Sequence, residues 1–190
     1  MVNLPWLALI GPAGAGKSTL GELAAHRTGR VFVDLDGVAE PYYAEVGWSL
    51  DKLRDRIAIV GRAAAETEWE PARAHAVTRI VDDHPDTILA LGAGHTSYTD
   101  PANFAVVRTA LGRCAHVVLV HPSPDRDTSL AVLRERCLAS KGSTWIVNGH
   151  DFLAAWLDDP ATRQVATHVL HTGANSPEAT VDRLLALIAK

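Results

Sequence analysis

Cysteine is nearly absent: the 190 residues contain two, Cys114 and Cys137. They form no C-x-x-C pair and no metal-ligand spacing, which excludes a disulfide scaffold or a zinc site and fits packing residues in a reducing compartment. Long apolar runs are also missing. No stretch approaches the roughly 18 residues that cross a bilayer. No basic segment precedes the first apolar residues, which read as a strand and not as a signal peptide. We expect a cytoplasmic protein with no membrane role. Positive charge is not in excess, with 18 Lys and Arg against 22 Asp and Glu and a formal net charge of −4, which argues against nucleic acid as the main partner. No internal repeat, low-complexity tract or linker divides the chain. With 47% hydrophobic and 21% charged residues, residues 1–190 suit one domain with a sizeable core.

What the chain does contain is Gly11-Pro12-Ala13-Gly14-Ala15-Gly16-Lys17-Ser18, followed by Thr19. The pattern G-x-x-x-x-G-K-S is the phosphate-binding P-loop. Trp6-Leu7-Ala8-Leu9-Ile10 before it has the length of a buried strand, and Leu20, Leu23 and Ala24 after it share one helical face. In that context the glycines let backbone N–H groups point at phosphates, with the helix N-terminus adding partial positive charge. Lys17 is expected on the β- and γ-phosphates of ATP and the Ser18 hydroxyl on Mg²⁺.

A second strand, Arg30 to Asp36, ends in Asp34 and Asp36, two apart and therefore on one side of a continuing strand. Ligands of parallel α/β sheets bind at the carboxyl ends of strands. One carboxylate there can contact Mg²⁺ or its waters, and the other can take a proton from an acceptor hydroxyl. Ser49 to about Asp83 reads as helical, with Leu50, Leu53, Ile57 and Val60 at helical spacing and Pro71 expected to break or kink the run. Strands follow at Thr87–Leu91, His116–Val120 and Thr167–Thr172. Helices are expected from Pro101, from Ser129 to about Leu138, and after the Ser176-Pro177-Glu178 cap. Alternating strands and helices predict an α/β, three-layer P-loop NTPase with a parallel five-stranded sheet. Arg134, Arg136 and Lys141, with Gly142-Ser143 and Asn148-Gly149 after them, mark residues 134–150 as a candidate lid, although the composition equally suits a surface loop.

The order of these motifs resembles the shikimate kinase family of P-loop small-molecule kinases. GPAGAGKSTLGELAAHRTGRVFVDLD is similar to that family's opening, and Leu91-Gly92-Ala93-Gly94 to its glycine triplet, with Ala93 at the centre. The resemblance implies that Asp34 associates with Mg²⁺ and its waters and that Asp36 engages the acceptor hydroxyl. It places Gly92, Ala93 and Gly94 at the acceptor, and Asn175, in the Thr172–Asn175 loop, at the adenine. It makes Arg134 the first choice for the lid arginine. Of the two arginines that hold the shikimate carboxylate in the family, Arg73 stands for the first, whereas Asp158 occupies the place of the second. An aspartate there repels a carboxylate. The stretch between Asp36 and Arg73 is longer than in the family by roughly a dozen residues, a few helical turns, and the lid reads Gly142-Ser143-Thr144-Trp145 in place of R-P-L-L.

These observations lead to an ATP-dependent, Mg²⁺-assisted kinase for a hydroxyl of a small metabolite that lacks the shikimate carboxylate. Lys17, Asp36 and Arg134 are its catalytic residues, residues 37–83 carry the acceptor, and Trp48, Trp69, Trp145 and Trp156 are candidates for its wall. A kinase acting on an antibiotic or nucleoside, and a nucleotide-binding regulator without kinase activity, are the alternatives.

Overall fold

A computed structural model describes residues 4–189. Five strands, β1 (Leu7–Ile10), β2 (Phe32–Asp34), β3 (Ile88–Ala90), β4 (His116–His121) and β7 (His168–His171), form one sheet in the order β2-β3-β1-β4-β7. Every pairing in it is parallel, with Leu9 facing Ala90 on one side and Val118 on the other. Alternation along each strand feeds two separate cores. Ala8 and Ile10 join one, with Leu89, Val117 and Leu119. Leu7 and Leu9 join the other, with Ile88, Val118 and Val120.

The helices cover both faces. On one side α1 (Lys17–Thr28) and α10 (Pro177–Ile188) pack in the core of Leu20, Ala24, Val181 and Leu184. On the other lie α5 (Arg62–Asp83) and α6 (Pro101–Leu111). The start signals act where the sequence puts them. Ser49, Asp100 and Ser176 each accept a backbone N–H in the first turn of α4 (Leu50–Val60), α6 and α10.

Two expectations fail here. Pro71 neither breaks nor divides the run; it lies inside α5, which continues for 22 residues. Trp69, Ala72, Ala76, Val77 and Ile80 are buried on both sides of the proline, and that packing outweighs one lost backbone bond. The break falls instead at Gly61, with φ 82° and ψ 161°, a conformation open to glycine. The second failure concerns Asp36. The strand β2 stops at Asp34, which caps the short helix α2 (Leu35–Val38) by accepting the Asp36 N–H at 3.1 Å. Asp34 and Asp36 thus belong to a strand end and a helix turn, not to one strand face.

Residues 126–158 form α7 (Arg126–Lys141), an antiparallel hairpin of β5 (Ile146–Val147) and β6 (His150–Asp151), and α8 (Phe152–Asp158). The hairpin turn is Asn148-Gly149, both with positive φ (51° and 80°), the backbone that an Asn-Gly pair favours.

Candidate active site

A cavity of about 860 Å³ opens at the carboxyl ends of β1, β2 and β3 and is lined by the P-loop, by α4 and α5, and by Trp145 and Trp156, which flank the hairpin in sequence. On its donor side, Gly14 and Gly16 carry φ of 78° and 96°, so the loop curls with its amides inward. Gly16 caps α1 without any side-chain hydrogen bond, which leaves the first-turn N–H groups for a ligand. Lys17 is buried, and its Nζ donates to the Gly11 and Pro12 carbonyls at 2.7 and 2.8 Å. Burial lowers its pKa to about 8, Asp36 and Asp34 acting against that shift and Lys141 with it. The Ser18 hydroxyl donates to Asp34 Oδ2 at 2.6 Å. A hydroxyl and a carboxylate in contact beside an amide-lined loop are the oxygen donors that a Mg²⁺–phosphate pair takes.

Asp36 reaches the same cavity from α2, its side chain 59% exposed. The triplet Gly92-Ala93-Gly94 lines the cavity beside Asp36, and from Ala93 it turns into a 3-10 helix, Ala93–Thr96. A Cβ on Gly92 would fall against Asp36 Oδ1 and 2.6 Å from His95 Nδ1, although the Gly92 backbone (φ −59°, ψ 153°) suits alanine. Gly92→Ala is therefore expected to fold, displace the Asp36 carboxylate and lower phosphoryl transfer by about 10–100-fold. Steady-state kinetics beside a urea titration will check this.

Arg73 is 4% exposed. Its guanidinium donates to the backbone carbonyls of Gly94, Ser97 and Glu66, and Nε has no partner. No carboxylate pairs with it among the described residues. Arg62, absent from the sequence reading, also lines the cavity, paired with Glu66 at 3.1 Å and lying 4.7 Å over the Trp145 ring. Leu50, Leu53, Trp69, Trp145 and Trp156 complete an apolar wall. Trp48 stays outside, where Lys52 lies over its ring.

Two assignments change. Arg134, the expected lid arginine, faces away and pairs with Asp151. Two residues further along α7, Arg136 reaches the P-loop, with Nη1 3.4 Å from the Gly14 carbonyl, and Lys141 joins it on the cavity wall. Helical spacing decides this, since positions two apart lie on different faces. Asp158 is likewise outside the cavity, held by Arg126 through bonds of 2.8 and 2.6 Å. Its expected repulsion of an acceptor carboxylate does not arise. Asp158→Asn should cost about 1 kcal/mol or less, as an exposed pair does, and leave the acceptor KM unchanged; urea denaturation and kinetics measure both. Asn175 and Thr172 line the cavity from the loop after β7, Asn175 Nδ2 donating to the Thr172 carbonyl at 3.1 Å.

A P-loop at the end of a central parallel strand, two carboxylates beside it and a separate apolar wall define a P-loop phosphotransferase. A family model described as shikimate kinase matches residues 13–189, and the chain belongs to the shikimate kinase family. Its relatives include a shikimate kinase of Psychrobacter arcticus, 30% identical and covering 96% of this chain and 88% of that protein. One of Xanthomonas euvesicatoria is 30% identical over 98% and 93%. In fold the chain is similar to shikimate kinase from Acinetobacter baumannii in complex with shikimate, with a TM-score of 0.69, 22% identity and 99% and 94% coverage. It is also similar to a gluconokinase from Sinorhizobium meliloti, with a TM-score of 0.59, 20% identity and 97% and 91% coverage. The protein is a small-molecule phosphotransferase with an alcohol acceptor. Among the described residues no helix is long and apolar enough to cross a membrane.

Proposed function

We propose that the protein transfers the γ-phosphoryl group of ATP to a hydroxyl of a small hydroxylated carboxylate. The observation that carries the acceptor class is Arg73, a buried cation on the cavity wall whose partners are neutral carbonyls. A guanidinium taken out of water without a counter-ion is costly, and an anionic ligand removes that cost. The names of the relatives agree in kind, since shikimate and gluconate are both hydroxylated acids. The acceptor site is formed within residues 37–83 and the glycine triplet, and residues 134–150 serve as lid.

Phosphoryl transfer asks the protein for position and charge. The P-loop amides and Lys17 hold the phosphates, Arg136 and Lys141 neutralise charge from the lid, and Asn175 borders the base. Ser18 and Asp34 hold Mg²⁺, which when bound offsets phosphate charge. Asp36 accepts the proton of the attacking hydroxyl. The test is a coupled ADP-release assay with shikimate, gluconate and a neutral polyol such as glucose. Turnover with a carboxylate acceptor and little with glucose is expected. Efficient phosphorylation of the neutral polyol, or tight ATP binding with no acceptor turned over, would defeat the proposal.

A further inference from the structure

One polar group of the cavity lining, His95, is neither on the P-loop nor among the residues that hold ATP, Mg²⁺ or the acceptor. His95 ends the glycine turn, is 3% exposed, and donates its backbone N–H to the Gly92 carbonyl at 2.9 Å. Its Nε2 lies 2.8 Å from the Tyr43 hydroxyl, which is itself buried on α3 (Glu40–Ala44). Its Nδ1 is shielded from solvent, makes no well-formed hydrogen bond among the described residues, and stands 4.0 Å from Asp36 Oδ1, with the Gly92 backbone also favouring a protonated ring. The Trp69 and Tyr43 rings pack against the imidazole.

Counting protons selects one tautomer. A neutral imidazole has one N–H and one acceptor nitrogen. If Nε2 carried the proton, the Tyr43 O–H would be a buried donor with no described acceptor. The Nδ1 lone pair would then face a carboxylate oxygen. If Tyr43 donates to Nε2, the ring proton sits on Nδ1 and points at Asp36, and both mismatches vanish. Burial keeps the ring neutral, with its pKa lowered to about 4 although Asp36 pulls it upward.

We propose that His95 is a positioning residue for Asp36. Tyr43 locks it as the Nδ1–H tautomer, and that N–H holds one carboxylate oxygen so that the other faces the acceptor hydroxyl. The proposal rests on Asp36 as the base. The gap of 4.0 Å exceeds a hydrogen bond, and rotation of the exposed Asp36 side chain closes it while the imidazole stays fixed. Gly92, with no Cβ, lets the two groups meet. In the reaction the hydroxyl proton passes to the free Asp36 oxygen as the new O–P bond forms and the bond to ADP breaks. His95 keeps its proton throughout.

Histidine-selective ¹⁵N labelling and long-range ¹H–¹⁵N correlation read the tautomer directly, with the His95 signals identified by their loss in His95→Asn. The wild type should show a neutral Nδ1–H ring, Asp36→Asn should move the Nδ1 resonance, and Tyr43→Phe combined with Asp36→Asn, which removes both groups that favour Nδ1–H, should shift the ring towards Nε2–H. An Nε2–H ring in the wild type, or an Nδ1 resonance unmoved by Asp36→Asn, overturns the proposal, as does a tautomer unchanged in the double variant. No acceptor is needed, so this result is separate from the kinetic test of Asp36 as base. Activity follows with the acceptor that the panel identifies, or as basal ATP hydrolysis if it identifies none. An asparagine amide sits near the Nδ1 position and a glutamine amide near Nε2. His95→Gln should therefore lower kcat about 10–100-fold with the KM for ATP unchanged, and His95→Asn by less than about tenfold. Equal losses, or a smaller loss in His95→Gln, would mean that the ring is packing alone.

Discussion

Asp36→Asn is expected to lower acceptor phosphorylation by about 10²–10⁴-fold, the range for a positioned general base, and to leave ATP binding unchanged or slightly tighter. The sign of the second effect follows from charge. Asp36 is close enough to Lys17 to act on its protonation, so it is also a negative charge beside the phosphate cradle, and its removal relieves repulsion with the γ-phosphate. Lys17→Met should behave differently, weakening ATP and slowing transfer together, because the ammonium meets the nucleotide before and during the reaction. Calorimetry with a non-hydrolysable ATP analogue, set beside the ADP-release assay, separates the two. An Asp36→Asn enzyme with full turnover would remove the base from the mechanism and leave the donor site untouched.

The P-loop with its flanking strand and helix was legible in the sequence because its determinants are local. A strand, a glycine loop and a helix adjacent in the chain are adjacent in space, so Gly11 to Ser18 could be read in order. The caps at Ser49, Asp100 and Ser176 are local in the same way. Legibility ends where the deciding contact is distant in sequence. Arg134 and Arg136 are alike in type and two residues apart, and only the pairing of Arg134 with Asp151 and the approach of Arg136 to Gly14 tell them apart. Asp158 looked like a reversal of charge in the acceptor site because its neutralising partner, Arg126, is 32 residues away. His95 stood directly after the glycine triplet, yet its meaning depends on Tyr43, 52 residues earlier. The Asn148-Gly149 pair was a readable hairpin signal, with strands too short to show alternation on either side.

Acid should destabilise the fold in a way that His95 carries visibly. Burial lowers the His95 pKa from 6.5 to about 4, Asp36 opposing this and Arg73 and Lys17 adding to it. His121, at the end of β4, is lowered to about 4 as well, by burial and by the His171 and Arg163 charges. A histidine with a depressed pKa binds fewer protons folded than unfolded. Stability is then full above pH 6.5 and is lost as pH falls towards 4. For the fully buried His95 the loss is about 2 kcal/mol by about pH 5 and roughly 3 kcal/mol by about pH 4. His121, less enclosed, contributes less. Carboxylates also titrate in this range, so the informative quantity is a difference between proteins. Urea denaturation at about pH 7.5 and about pH 5 should show His95→Asn losing about 2 kcal/mol less than the wild type. The variant is therefore expected to be weaker at neutral pH, where it gives up the Tyr43 hydrogen bond, and relatively sturdier in acid. A parallel decline of both proteins would place the acid sensitivity elsewhere. A smaller decline in His95→Asn would mean that the ring positioned beside Asp36 is held neutral at the expense of acid stability.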